Sequence, residues 1–137
     1  MISFILFILK PIICASKLAS QPLADSLRQA AIAIGDRYGE CFALQVKFLY
    51  EYYKPNNFRH FDQSLQAYMD KVLSYGMDRF YFYAVSMKTF YYTREKRYLE
   101  GFLYLQEQTK IAESKNNHYR ICMLHRMTGV IQHSLWQ

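Results

Sequence analysis

Five short breaks constrain this chain more than any other feature. Gly35-Asp36, Lys54-Pro55-Asn56-Asn57, Gly76-Met77-Asp78, Thr93-Arg94-Glu95-Lys96 and Lys115-Asn116-Asn117 divide it, from Pro22 onward, into six helix-length stretches. Gly and Asn enter turn conformations readily, and Pro cannot continue a helix. Between the breaks, apolar residues recur three or four positions apart, the period of an amphipathic helix. The spacing predicts helices over about Pro22–Ile34, Tyr38–Tyr53, Phe58–Tyr75, Arg79–Tyr92 and Tyr98–Ser114, and from His118 to the last residue.

The expected inward stripe of the first stretch is Leu23, Leu27, Ala30, Ala31 and Ile34. In the second it is Phe42, Val46, Leu49, Tyr50 and Tyr53, and in the third Phe61, Leu65, Tyr68, Met69, Val72 and Leu73. The fourth is apolar nearly all round, through Phe80, Phe82, Tyr83, Val85, Met87, Phe90 and Tyr91. A helix of that kind is buried between neighbours. Its aromatics raise strand propensity, but alternation with period two is absent. Phe102, Leu105, Thr109 and Ala112 share a face of the fifth stretch. Ile121, Cys122, Leu124, Val130, Ile131 and Leu135 carry the sixth.

Composition narrows the class. The chain has 137 residues, 52% hydrophobic and 20% charged, with 5 Gly and 3 Pro, so it can bury a core and is neither disordered throughout nor collagen-like. Its 3 cysteines do not make a disulfide scaffold. Cys41 and Cys122 lie in apolar helical patterns and are expected as buried, reduced thiols. Lys and Arg number 17 against 11 Asp and Glu, a formal charge of +6. Such a balance argues for an anionic partner where the charges cluster. Here they are spread along the chain. The densest group, Arg94, Lys96 and Arg97, has Glu95 in its midst.

Residues 2–9, Ile-Ser-Phe-Ile-Leu-Phe-Ile-Leu, are largely apolar, and Ile12, Ile13, Cys14 and Ala15 follow Lys10-Pro11. The run is shorter than the ~20 residues of a membrane span. It fits the apolar region of a secretory signal peptide cleaved after Ala15 or Ser16. No Lys or Arg precedes it, and the alternative is an apolar segment that packs on the domain. Residues 1–15 are therefore read as a signal peptide and 16–137 as one helical domain. The expected location is periplasmic or otherwise extracytoplasmic where the leader acts, and cytoplasmic where it does not.

The breaks also repeat. Asp36, Asp78 and Asn117 are 42 and 39 positions apart. A small residue follows each, at Ala43, Ala84 and Cys122, and seven positions later come Tyr50, Tyr91 and Gly129. This pattern resembles the tetratricopeptide-repeat (TPR) family in its divergent, TPR-like form, over about Leu23 to Gln137. The period is longer than the ~34 residues of the standard repeat, and the Trp-Leu-Gly and terminal Pro signature is missing. The competing architecture is a plain helical bundle. The resemblance implies an all-α, right-handed solenoid of three antiparallel helix pairs, in which each pair covers the apolar face of the next. The sixth stretch carries its apolar pattern to the end with no polar cap, so truncation and self-association through the C-terminal helix are both expected.

In TPR-like proteins a concave groove, lined mainly by the first helix of each pair, holds a peptide or protein segment. The residues implied for that groove are Arg28, Gln66, Tyr68, Asp70, Tyr104 and Gln108. Exported arrays of this kind resemble the sensor regions of bacterial signalling proteins. The expected partner is a protein or peptide, with no nucleic acid, no metal and no cofactor. A basic nucleic-acid-binding module, using Arg79, Lys88, Arg94, Lys96 and Arg97 on one face, is the second reading.

No catalytic residue is assigned. His118, Cys122 and His125 project within roughly 60° of one another on a helix, which suits three ligands of a zinc ion with a fourth to be supplied. Cys122, however, occupies the small helix-packing position, and histidines are common on amphipathic helices. Cys122–His125 is the one nearby thiol–imidazole pair, and the thiol reads as buried. The sequence contains no phosphate-binding glycine loop, HExxH, GxSxG or CxxC.

Overall fold

A computed structural model describes residues 20–135. The signal-peptide reading of residues 1–15 lies outside them. The described residues form six helices and no strand: α1 (Ser20–Ala33), α2 (Arg37–Tyr52), α3 (Phe58–Ser74), α4 (Asp78–Arg94), α5 (Tyr98–Ser114) and α6 (His118–Leu135). The all-α expectation holds. One boundary moves: α4 runs through Thr93 and Arg94, which the polarity of Thr93–Lys96 assigns to a connector. The Thr93 hydroxyl donates to the Thr89 carbonyl at 3.0 Å, and the Arg94 guanidinium lies 4.5 Å over the Tyr91 ring. A cation is also favoured in the last helical turn by the helix dipole.

Five residues hold left-handed backbone: Gly35 (φ 71°), Asn56 (52°), Gly76 (67°), Lys96 (58°) and Asn116 (51°). They are 21, 20, 20 and 20 positions apart. At Gly35, Gly76, Lys96 and Asn116 the same two bonds recur. The left-handed residue donates to the carbonyl three back, at 3.0–3.1 Å, and its successor to the carbonyl five back, at 2.8–3.0 Å. This is the Schellman closure, which satisfies the orphan carbonyls of a helix end. Lys96 is the costly member, because left-handed backbone costs a non-glycine residue about 1–2 kcal/mol. Lys96→Gly is therefore expected to stabilise by about 0.5–1 kcal/mol, glycine's extra freedom in the unfolded chain offsetting part of the relief. A melting temperature at or below wild type would show that the Lys96 side chain itself supports the turn.

The turns set a hairpin period of 41 and then 40 residues, from Gly35 to Gly76 to Asn116. Buried residues follow it: Ala24, Leu65 and Leu105; Ala31, Val72 and Ala112; Ala43, Ala84 and Leu124. The third repeat of the sequence reading is thus displaced by two positions. Leu124, not Cys122, is the counterpart of Ala43 and Ala84, and Ile131, not Gly129, is the counterpart of Tyr91. Cys122 is exposed and Ile131 buried, as this register requires.

The chain divides into two compact units, residues 1–71 and 72–137, with the division inside α3. In the first, α1 packs against α2. The close approach is made by small residues: a β-carbon on Gly39 would lie 3.1 Å from Ala31 Cβ. Asp36 caps α2 by accepting from the Gly39 amide at 3.0 Å. Phe48 is fully buried, with its ring edge-on to Tyr68 (centroids 5.0 Å apart) and Phe61 (6.4 Å). The inward face of α1 is Ala24, Arg28 and Ala31, so Leu23, Leu27, Ala30 and Ile34 of the expected stripe lie outside. Phe42 of α2 and Tyr53, just beyond its end, are likewise exposed.

In the second unit α4 packs against α5 and α6, and α5 against α6. Burial covers most of α4, from Tyr81 and Phe82 through Ala84, Val85 and Met87 to Tyr91 and Tyr92, but Phe90 of the expected apolar set is 40% exposed, so one side of the helix faces outward. Gly101 is the tight point of α5: a β-carbon there would lie 3.2 Å from Tyr92 Cβ and 3.0 Å from Ile131 Cδ1. Tyr92 and Tyr104 pack with ring centroids 6.3 Å apart, and Phe82 meets Tyr119 edge-on at 5.4 Å.

Candidate functional site

The six residues implied for a groove occupy different environments. On α3, Gln66 and Asp70 are exposed, and the Gln66 amide donates to Asp70 at 2.8 Å, one turn apart. Tyr68 lies between them in sequence but on the opposite face, fully buried against Phe48. It is a core residue, because the helix that offers Gln66 and Asp70 to solvent turns Tyr68 inward. Arg28 of α1 is half-buried, and its Nη2 lies 3.4 Å from Glu40 Oε1. Lys71 reaches the same oxygen at 3.3 Å. Glu40 is thus a buried carboxylate between two cations, a structural pairing within the first unit.

Tyr104 of α5 is buried beside Tyr92, with the Lys88 ammonium 4.6 Å over its ring. Gln108 accepts from the Tyr81 hydroxyl at 2.6 Å. Arg120 of α6 lies 4.6 Å over the Tyr81 ring and donates through Nε to Asp78 at 2.9 Å. Asp78, Tyr81, Gln108 and Arg120 therefore tie α4, α5 and α6 together. Burial pushes the Tyr81 phenol pKa up, Asp78 pushes it the same way, and Arg120 opposes both. This network locks the three helices together.

Three of the five basic residues of the second reading, Lys88, Arg94 and Arg97, are engaged locally. Arg94 pairs with Glu95 at 3.0 Å, and Arg97 donates to Glu100 at 2.7 Å and lies 5.2 Å over the Tyr92 ring. That hydrogen bond holds the Glu100 carboxyl below its usual pKa and raises the Arg97 guanidinium. Acidic neighbours thus offset the densest cationic stretch.

Cys41 lacks the setting of an activated nucleophile. Burial, reinforced by Glu40 and opposed by Lys71, pushes the Cys41 thiol up, and a raised pKa keeps a thiol inert. Cys122 is exposed on α6, contrary to the expected buried thiol, because the packing position belongs to Leu124. Among the described residues no three His, Cys, Asp or Glu side chains converge as a metal site. Among them, too, no helix is long and apolar enough to cross a membrane.

A concave feature of the second unit is a cleft of about 460 Å³ lined by Leu99 and Phe102 of α5 and Gln132 and Leu135 of α6. Leu99 is 68% and Leu135 51% exposed. The two leucines come from the start of one helix and the end of the next, which antiparallel packing brings side by side. Among the described residues the cleft's lining offers three apolar side chains and a single amide, with no titratable group. An apolar side chain or helix stripe would fit such a lining. Sequence reasoning named Leu135 and Phe102 only as inward residues, and it missed Leu99 and Gln132. No family model, curated protein or solved structure matches this chain.

Proposed function

We propose that this chain is a non-enzymatic, TPR-like helical-repeat module, a right-handed solenoid of three antiparallel helix pairs, that binds an apolar helical segment of a protein partner. The observation that carries this reading is the apolar cleft at Leu99, Phe102, Gln132 and Leu135. The recurrence of turns and buried positions every 40 or 41 residues supports the repeat architecture. Helix-in-groove recognition needs apolar anchors three or four residues apart on the guest and a water-excluding slot on the host. The resemblance to exported bacterial sensor arrays supports a sensor or scaffold part of a signalling or regulatory protein as the setting. The local pairing of Arg94 and Arg97 with acids weighs against the nucleic-acid reading.

Panning a helical-peptide library against the full chain tests the proposal. Enriched peptides should carry apolar residues at positions i, i+3 or i+4, and i+7. Their affinity should fall tenfold or more on Leu99→Asp. A library that yields no binders, or binders indifferent to Leu99→Asp, would overturn it.

A further inference from the structure

Within the second unit, α5 docks on α4 through a specific set of contacts. Tyr104 packs on Tyr92, and Gln108 takes the hydroxyl hydrogen of Tyr81. The period set by the turns places each of these residues in register with others. Forty positions after Tyr92 is Gln132, which lines the open cleft on α6. The surface of α4 that α5 covers thus has its counterpart on α6, and among the described residues no helix stands on α6 there as α5 stands on α4. In the other direction, two periods before Tyr104 and Gln108 are Leu23 and Leu27 of α1. Both are solvent-exposed, at 55% and 45%. They form, with Ala30 and Ile34, an apolar stripe at spacings of four, three and four on the outer side of α1. The face that α5 uses to hold α4 is therefore the face that α1 leaves bare.

We infer that the cleft on α5 and α6 receives α1 of a second copy of this chain. In that arrangement Leu23 takes the place over Gln132 that Tyr104 takes over Tyr92, and Leu27 follows one turn along. This rests on the repeat register of the proposed function and names the partner for its cleft. The contact joins two different surfaces, so each copy keeps one face of each kind available. Such heterologous contacts build rings or open chains of copies. Both partner surfaces are apolar, so the association is driven by burial.

Light scattering of the full chain across a hundredfold concentration range tests the inference. The weight-average mass should climb above 16.4 kDa as concentration rises. Two blocked variants separate the faces: Leu23→Glu with Leu27→Glu on α1, and Leu99→Glu with Leu135→Glu on the cleft. All four positions are exposed, so both variants should keep the helical circular dichroism of wild type. Each alone should remain a monomer. Mixed in equal amounts they should form a heterodimer of about twice 16.4 kDa and stop there, since each supplies the one face the other has kept. A wild-type chain that stays monomeric throughout, variants that associate as wild type does, or a mixture that stays monomeric would each overturn the inference. A peptide from the library that binds the α1-blocked variant keeps the cleft reading standing whatever the assembly result. Loss of that peptide together with intact assembly would remove a foreign helical segment as the cleft's occupant and leave α1 of a second copy.

Discussion

Phe48→Ala is expected to destabilise the first unit by about 3–5 kcal/mol, the usual cost of truncating a fully buried Phe. The ring has no exposed surface and is held edge-on by Tyr68 at 5.0 Å and Phe61 at 6.4 Å. Removing it strips both aromatics of a partner and leaves a void between α2 and α3 that rigid neighbours fill only in part. Against a total stability of about 5–15 kcal/mol, that loss is a large fraction. Phe42→Ala is the matched control, six positions earlier on the same helix and 47% exposed. It should change stability by no more than about 0.5 kcal/mol. Urea denaturation followed by circular dichroism reads both. Equal losses at the two positions would mean that α2 presents a different face to its neighbours.

That pair also marks the limit of the sequence. The helices were legible because Gly35, Pro55, Asn56, Gly76 and Asn116 punctuate them, and each such residue has a local reason to stop a helix. The left-handed turn at Lys96 was not legible, because nothing in a lysine signals that backbone. Without it the even spacing of the turns is hidden, and the third repeat slips by two positions. The inward faces were harder still. In α2 aromatic or aliphatic side chains fall on every side, so periodicity alone could not separate Phe48 from Phe42. In α1 the choice fell to Ala24 and Ala31, and the small side chain of Ala31 admits α2 at Gly39. The bulkier leucines were left outside, against the expectation that the largest apolar residues face the core.

The candidate site shows the same division between local and non-local information. Gln66 and Asp70, implied for a groove by the resemblance, are exposed and bonded to each other one turn apart. Tyr104 and Gln108 were expected to face a ligand and instead serve as contacts to α4. Their partners, Tyr92 and Tyr81, sit 12 and 27 positions away and become neighbours only through helix packing. Gly101 carried no signal at all. Its counterpart one period earlier is the buried Phe61, and it is small because Tyr92 and Ile131 close over it. The cleft depends on Leu99 and Leu135 meeting across 36 positions, which only the pairing of α5 with α6 brings about.

Removing both cations around Glu40, by Arg28→Met with Lys71→Met, is expected to cost about 3 kcal/mol. That is the low end for breaking a buried ion pairing by removing the charges on one side of it. The Glu40 side chain is 6% exposed, whereas Arg28 and Lys71 are each about a third exposed. The two sides of the pairing are therefore unequal. Glu40→Gln leaves two cations that can turn to water and keeps the shape of the side chain, so it should cost only about 1 kcal/mol. The double methionine variant leaves the carboxylate in place with little access to water, and its desolvation is no longer offset. Adding Glu40→Gln to the double variant should then recover most of the loss. Chemical denaturation of the four proteins yields the coupling energy directly. Additive losses, with no recovery in the triple variant, would mean that Arg28 and Lys71 act through the packing of their alkyl stems and that their charge contributes nothing to holding α1 and α3 on α2.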